Sequence, residues 1–183
     1  IYGGFRREEL LGFEWKDIDF QNYVVTVNRA SLYTKELGVF TDVPKTKNSH
    51  RSLKIPEFVF PALLRYREEQ ERRQSQMGNK WHNADRLFTT WDGRPQHPSS
   101  MPKTLKRFCD RNVLRYLGIH SFRHLFASSL IEQGIDPESI SAAMGHAQVS
   151  TTLNIYGHEI ETYKARISQA MGNALPFPTA KIL

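Results

Sequence analysis

The segment "SFRHLFASSLIEQGIDPESISAAMGHAQVSTTLNIYGH", residues 121–158, describes a helical unit whose boundaries are marked in the sequence. Its first helix is predicted to begin at Ser121 and to end at Gly134, with leucine and phenylalanine side chains along one face. A second helix is predicted from Pro137 to Gly145, because proline suits a first helical turn and glycine suits a helix end. Two short helices joined by a tight turn therefore precede the polar stretch that ends in "NIYGH".

Outside this unit the chain is also predicted to be mostly helical, with a small antiparallel sheet near the N-terminal end. The β-branched run "YVVTVNRA" at residues 23–30 is typical of a strand, and residues 38–56 predict two more strands around the turn "KTKNSH". We expect an α+β fold. The further helices are predicted at residues 5–15, 57–77, 99–111 and 159–171.

Composition indicates a folded domain that favours a polyanion. The chain has 183 residues, a net charge of +6, 39% hydrophobic residues and a single cysteine, which allows a sizeable core but no internal disulfide. The sequence contains neither a signal peptide pattern nor an apolar run long enough for a membrane span. We therefore expect a cytoplasmic protein without membrane association. Because the sequence begins at Ile1, we expect it to be a fragment of a longer protein.

Two segments concentrate positive charge and are candidates for DNA contact. Residues 44–54 carry four basic residues and no acid, and residues 103–115 carry five basic residues against one aspartate. Unpaired positive charge can replace the counterions of DNA phosphates, although a merely soluble basic surface has the same composition. The candidate DNA-binding residues are Lys47, Arg51, Lys103, Lys106 and Arg107.

Tyr156 lies in a segment that is dense in polar groups and contains no carboxylate between residues 145 and 158. An isolated tyrosine is most often a packing residue with a satisfied hydroxyl. A nucleophilic tyrosine must lose the proton of a hydroxyl whose pKa is about 10. The hypothesis that Tyr156 is a nucleophile therefore predicts that cationic side chains converge on its hydroxyl. His120 and Arg123 stand three residues apart at a helix start, where an anion is also favoured. His124 points away from Arg123 and is expected to be structural.

Several motifs in register resemble the tyrosine recombinases, the phage integrase family, and especially integrases of phages and conjugative transposons. They extend from Gly4 to about His158. They are "GFRREEL" (4–10), a lysine-bearing hairpin, "HSFRHLFASSLIEQGID" (120–136) and "MGHAQVSTTLNIYGH" (144–158). The resemblance implies a catalytic domain at residues 1–158 that lacks its usual first helices, followed by a C-terminal helix and tail at residues 159–183.

The resemblance also assigns roles to individual residues. Arg6 and Arg123 match the two arginines that bind the scissile phosphate, and Glu9 matches a supporting acid. Lys45 is expected to be the general acid, and Lys47 remains the alternative. The remaining matches are His120 as general base for the tyrosine, His146 as a phosphate-binding histidine, and Tyr156 as the nucleophile.

The activity implied by the family is site-specific DNA recombination through a 3′-phosphotyrosyl intermediate, without a metal or other cofactor. The implied partners are double-stranded DNA on a bacterial chromosome or mobile element, three further copies in a homotetramer on two DNA sites, and accessory directionality or DNA-bending proteins. Residues 159–183 are expected to be exchanged between subunits, and residues 147–158 are expected to form a mobile tether for Tyr156. The alternatives are a type IB topoisomerase-like relaxing activity and a non-catalytic DNA-binding protein on the same fold.

Overall fold

The computed structural model describes residues 1–43, 50–82 and 85–174 of the chain. Helices dominate, and short strands lie in the N-terminal third, which confirms the predicted α+β class. The helices are α1 (Arg7–Gly12), α2 (Phe60–Met77), α3 (Ser100–Arg111), α4 (His120–Glu132), α5 (Pro137–Met144) and α6 (Val149–Ala174). The strands are β1 (Ile18–Asp19), β2 (Val24–Val27), β3 (Ala30–Thr34), β4 (Gly38–Asp42) and β5 (Arg51–Lys54).

The strands form two antiparallel units instead of the single small sheet that was predicted. One has the order β1-β2-β5, in which Val25 lies opposite both Ile18 and Leu53. The other is the β3-β4 hairpin, with Leu32 opposite Phe40. Strands β4 and β5 do flank the predicted lysine-bearing turn, but they belong to different units. A short connection pairs β4 with its neighbour β3, and β5 instead pairs with the free edge of β2.

A core in the N-terminal part joins the three-stranded sheet to α2. Val25 and Val27 of β2 are buried with Phe13 and Phe60, and Leu87 from the segment after α2 completes the cluster. Alternation along β2 places these valines on one face, as a half-buried strand requires. This core fixes α1, which follows Arg6 of the candidate site, and β5, which carries Arg51.

A second core is formed by α4, α5 and α6, and its helix boundaries follow the sequence signals closely. As predicted, α5 begins at Pro137, and Gly145 ends it in the left-handed conformation with φ of 65°. Helix α4 begins at His120, one residue before the predicted serine cap. The Ser121 hydroxyl does not cap the helix start and instead donates to the carbonyl of Leu117.

Helix α6 is continuous from residue 149 to residue 174, whereas the sequence predicted a helix only at residues 159–171, after a polar stretch. Gly157 therefore lies inside the helix, at a cost of about 1 kcal/mol relative to alanine. Burial of Tyr156 and Ile160 against α4 and α5 offsets that cost. The continuous helix and the buried tyrosine count against the expected mobile tether.

Within the described ranges, no helix has the length and hydropathy of a membrane span.

Candidate active site

Three arginines from different elements meet at the C-terminal end of α5. Nε of Arg51, Nη2 of Arg123 and Nη2 of Arg6 donate in that order to the consecutive carbonyls of residues 143–145, at 2.7, 2.7 and 2.9 Å. The last carbonyls of a helix lack partners within the helix and carry its partial negative charge, so guanidinium groups are favoured there. A positive cluster therefore forms at the end of α5, from the residue that precedes α1 and from β5 and α4.

Glu9 is the carboxylate that holds two of these arginines together. Its oxygens accept from Nη1 of Arg6 at 2.8 Å and from Nη1 and Nη2 of Arg51 at 3.0 and 2.9 Å, and they also accept from the Arg6 backbone N–H at 2.8 Å. Burial alone would raise the pKa of Glu9, but the hydrogen bonds from Arg51 and Arg6 outweigh it and leave the pKa below its usual range. Glu9 is thus an ionised carboxylate that holds Arg6 and Arg51 in the cluster.

Arg123 is the most enclosed member of the cluster, with 7% of its surface exposed. Nη1 donates to the carbonyl of Gly4, which faces Arg123 because Gly4 adopts a positive φ of 55°. A Cβ at Gly4 would also come within 2.4 Å of the Phe126 ring, so glycine is required on two grounds. Burial, followed by repulsion from Arg6, lowers the pKa of Arg123 to about 10, so the guanidinium remains charged at neutral pH.

His146 follows this helix end and is buried beside the arginines. Its Nδ1 lies 2.8 Å from the hydroxyl of Thr152, which is completely buried. Burial, and then the positive charges of Arg123, Arg6 and Arg51, lower the pKa of His146 to about 4. His146 is therefore neutral near pH 7 and can contribute a hydrogen bond without adding a further positive charge.

The depressed pKa of His146 predicts a pH dependence of stability. An unfolded histidine has a pKa of about 6.5, so the unfolded chain binds more protons than the folded chain from there down to about pH 4. The stability associated with neutral His146 is present above about pH 6.5 and is lost as the pH falls toward 4. We expect this residue to lower the free energy of unfolding by up to about 3 kcal/mol over that window.

Urea unfolding at a series of pH values measures this contribution, with His146→Gln as the matched variant. The variant cannot titrate there, so its free energy of unfolding should fall less steeply with decreasing pH than that of the wild-type chain. Equal slopes in the two proteins would contradict the assignment.

Tyr156 lies on α6 with only 2% of its surface exposed, and its hydroxyl is 3.1 Å from Nδ1 of His124. The two rings meet edge to face with centroids 5.6 Å apart. Burial raises the pKa of the tyrosine; the charge of Arg123 opposes that rise, and the carboxylate of Glu159 adds to it. The arginine cluster alone therefore does not activate this hydroxyl, contrary to the simplest expectation from the sequence.

His120, which was expected to be the general base, lies apart from Tyr156 in this structure. It is exposed at the first residue of α4, and among the described residues its side chain makes no hydrogen bond. It lines a cleft of about 380 Å³ between α1 and the segment that precedes α4, together with Arg7, Tyr116 and Ile119. The residue that the fold brings to the tyrosine hydroxyl is His124, one helical turn further along.

The predicted general-acid lysines and DNA-binding residues do not all lie in the arginine cluster. Lys45 and Lys47 both lie outside the described residues. Lys103, Lys106 and Arg107 are exposed on α3, where Lys106 pairs with Asp110 at 2.9 Å. Arg51, by contrast, has only 8% of its side chain exposed and pairs with Glu9, so it supports the arginine cluster from within.

The sequence did not single out Thr152, and it predicted other roles for two further residues of the site, DNA contact for Arg51 and a structural role for His124. Thr152 orients His146, Arg51 of β5 pairs with Glu9, and His124 contacts the tyrosine. For His124 a signal existed, because residues four apart share a helix face and His124 follows His120 by four. Arg51 carried no local signal, since its carboxylate partner is 42 residues away.

Among the described residues there is no group of three or more histidine, cysteine, aspartate or glutamate side chains that could hold a metal ion.

Comparison with known proteins identifies relatives of this chain. A profile of the phage integrase family matches residues 1–162. A "tyrosine recombinase XerC-like" protein of Caldanaerobacter subterraneus subsp. tengcongensis is 31% identical over 181 residues, covering 93% of this chain and 46% of that protein. The ICEBs1 integrase of Bacillus subtilis is 33% identical over 155 residues, covering 85% of this chain and 42% of the integrase.

Among solved structures, the Tn1549 transposon integrase in complex with circular intermediate DNA matches with a TM-score of 0.72. It is 25% identical, and the match covers 92% of this chain and 56% of that one. The chain therefore spans about half the length of the proteins that it matches. The family resemblance that the motifs indicated is confirmed.

Proposed function

Because this chain belongs to the phage integrase family, we propose that it is the catalytic domain of a site-specific DNA recombinase with Tyr156 as the nucleophile. The observation that carries the proposal is the juxtaposition at the end of α5. There, two arginines match the phosphate-binding pair of the family, and the charge of one of them, Arg123, acts on the hydroxyl of Tyr156. A cationic cluster beside a hydroxyl is suited to phosphoryl transfer, in which negative charge develops on phosphate oxygens.

In the proposed reaction the Tyr156 hydroxyl passes its proton to His120, the base that the family resemblance assigns, and its oxygen attacks the scissile phosphorus while the bond to the 5′ oxygen breaks. A 3′-phosphotyrosyl bond forms, and the 5′ oxygen leaves as a hydroxyl after it receives a proton. Arg6 and Arg123 bind the non-bridging oxygens, a task that suits the forked guanidinium better than an ammonium group, and neutral His146 adds a hydrogen bond. The 5′ hydroxyl of another strand then attacks the phosphotyrosyl bond and releases the tyrosine, so the reaction requires no ATP.

The proposal extends to the partners of the complete protein. The substrate is double-stranded DNA, and we infer that the exposed basic side chains of α3 contact its backbone. The Tn1549 transposon integrase has been solved in complex with a circular intermediate DNA, which supports DNA as the partner here. A homotetramer on two DNA sites, exchange of residues 159–183 between subunits, accessory directionality or DNA-bending proteins and action in the bacterial cytoplasm are further parts of the proposal.

The test is covalent capture on nicked DNA. A pool of duplexes with randomised sequence and a fixed nick is incubated with the chain, because loss of the short fragment beyond the nick prevents rejoining. Adducts that resist detergent are recovered, their DNA is sequenced, and the attached peptide is identified by mass spectrometry. We expect enrichment of one sequence and attachment through Tyr156. No adduct, or an adduct on another residue, would overturn the proposal, and site-independent relaxation of plasmids would favour a topoisomerase-like activity.

The proton donor to the 5′ oxygen is proposed to be Lys45, with Lys47 as the alternative. Replacing the true donor with alanine should slow cleavage of the selected duplex by about 10²–10⁴-fold, as loss of a general acid does. A duplex with sulfur in place of the 5′ bridging oxygen should restore that rate, because a thiolate leaves without a proton.

The two lysines serve as matched controls for each other. Rescue of Lys45→Ala alone would support the proposal. Rescue of Lys47→Ala alone would transfer the role to Lys47.

A further inference from the structure

Arg86 links strand β4 to helix α1, although it comes from the segment that follows α2. The residue is buried, with 6% of its surface exposed. Nη1 donates to the carbonyl of Gly12, the last residue of α1, and Nη2 donates to the hydroxyl of Thr41 on β4. One guanidinium group therefore joins the end of α1 to the second strand of the β3-β4 hairpin.

The position of Arg86 is itself fixed by its surroundings. Its backbone forms an isolated bridge with that of Glu14, and its carbonyl accepts from Nε2 of the buried Gln70 on α2 at 3.1 Å. Burial lowers the pKa of Arg86, and the carboxylate of Glu14, 4.0 Å from Nη1, opposes that effect. A buried guanidinium held in this way is a rigid link, since its planar fork fixes the direction of its hydrogen bonds.

Strand β5 is joined to the same helix by a second arginine. Nη1 and Nη2 of Arg51 donate to the carboxylate of Glu9 on α1, at 3.0 and 2.9 Å. Strands β4 and β5 flank the segment that contains both candidate proton donors, Lys45 and Lys47. Thr41 is the fourth residue before the first lysine, and Arg51 is the fourth residue after the second. The chain is therefore anchored to α1 on both sides of the lysines.

Helix α1 also fixes Arg6, the proposed phosphate-binding residue. Arg6 immediately precedes α1, and its backbone N–H and its Nη1 both donate to Glu9 at 2.8 Å. A general acid must lie within hydrogen-bond reach of the leaving oxygen, and a displacement of about 1 Å can lower the rate by about 10²-fold. The links from α1 to β4 and β5 therefore bear on the distance between the proton donor and the phosphate.

We propose that Arg86 is a positioning residue for proton donation, an inference that rests on the proposed function. Through Thr41 it holds β4 against α1, so that the donor lysine lies at the phosphate bound by Arg6. In the step that it supports, the bond between phosphorus and the 5′ oxygen breaks, the lysine N–H bond breaks, and the proton passes to that oxygen. Arg86 acts through the hairpin and exchanges no proton itself.

The first test compares two leaving groups in single-turnover cleavage of the selected duplex. Arg86→Lys keeps the positive charge, but its donors lie on one atom, so it cannot hold Gly12 and Thr41 as the guanidinium does. Thr41→Val removes the acceptor and keeps a β-branched side chain in the strand. With a 5′ oxygen leaving group, we expect cleavage to slow by about 10²-fold in Arg86→Lys and about tenfold in Thr41→Val. With a 5′ sulfur leaving group, both variants should cleave at the wild-type rate, because a thiolate leaves without a proton.

Thr26→Val is the matched control for the loss of one hydroxyl hydrogen bond in a strand. Thr26 lies on β2, where its hydroxyl bonds to that of Ser52 at 2.9 Å. This variant should cleave both duplexes at the wild-type rate. Equal slowing of both duplexes in Arg86→Lys and Thr41→Val would indicate a general effect on fold or DNA binding, and wild-type rates on both would show that the link is not needed. Either result overturns the proposal.

A double substitution shows whether Arg86 and Thr41 act through the lysine. In Lys45→Ala, or in Lys47→Ala where that lysine is the donor, adding Thr41→Val should slow cleavage no further, because residues that act as a unit are not additive. A further tenfold loss in the double variant, about the size expected for Thr41→Val alone, would assign the effect to another step and overturn the proposal.

The last measurement does not depend on activity. Nitrogen NMR of the arginine side chains in the DNA-free chain, assigned with Arg86→Lys, reports the environment of the Arg86 guanidinium group. We expect its Nη resonances to shift in Thr41→Val and to stay unchanged in Thr26→Val. Unchanged resonances in both variants would mean that the link is absent, which overturns the proposal. If the wild-type chain forms no adduct, the proposed function fails and this inference fails with it; if it does and the two variants slow both duplexes equally, only this inference fails.

Discussion

Replacement of Tyr156 by phenylalanine is expected to abolish covalent attachment to DNA, lowering the rate of adduct formation by at least about 10⁴-fold. Phenylalanine keeps the ring that packs between α4 and α6 but removes the oxygen that attacks phosphorus. Loss of one nucleophile commonly costs as much as loss of the whole catalytic set, because the remaining groups have nothing to activate. The measurement is the single-turnover rate of adduct formation on the selected nicked duplex.

Tyr156→Phe should remain folded, so a loss of adduct formation would report the loss of the nucleophile and not unfolding. Only the hydrogen bond to His124 is lost, so the free energy of unfolding should fall by about 1 kcal/mol. Tyr163→Phe is the matched control, since Tyr163 is partly buried on the same helix and packs against the same cluster. It should form the adduct at the wild-type rate. Adduct formation by Tyr156→Phe would show that another residue is the nucleophile.

Local signals predicted the helical part of the fold well. Pro137 and Gly145 mark the ends of α5 because their backbone preferences act within one or two residues, and the basic helix predicted from Ser99 or Ser100 is α3. The pairing of strands was not predictable in the same way. Whether β5 pairs with β4 or with β2 depends on contacts distant in sequence, and both arrangements satisfy the same local pattern.

The residues of the candidate site likewise include some that the sequence predicted and some that it did not. Arg6, Glu9, Arg123 and His146 do converge, because family spacing carries information about distant contacts that periodicity does not. The choice between two histidines on one helix face was beyond the sequence. It depends on where α4 starts and on how deeply α6 packs, and these place His124 rather than His120 at the tyrosine.

Arg123→Lys is the second substitution with a large expected effect, about 10³–10⁵-fold on the cleavage rate, by analogy with arginines that stabilise phosphoryl-transfer transition states. A guanidinium has five N–H donors. Arg123 uses one from each terminal nitrogen on the carbonyls of Gly4 and Met144, which leaves donors for a phosphate. An ammonium group at this position keeps the charge but has three donors on a single atom, so it cannot span both carbonyls and also bind two phosphate oxygens.

Lysine is a sharper test than alanine because Arg123 also supports the fold. Removing the side chain would leave two buried carbonyls without donors, at about 1–3 kcal/mol each, and loss of activity could then reflect unfolding. Arg7→Lys is the matched control, since Arg7 pairs with Glu8 at the surface and makes no contact with the end of α5 within the described residues. If Arg123→Lys remains folded and cleaves within about tenfold of the wild-type rate, a point charge alone is sufficient at this position. That result would show that Arg123 does not bind the phosphate in the transition state. If it remains folded and the cleavage rate falls by the expected factor while Arg7→Lys is unchanged, the loss is in phosphate recognition, because charge and fold are both retained.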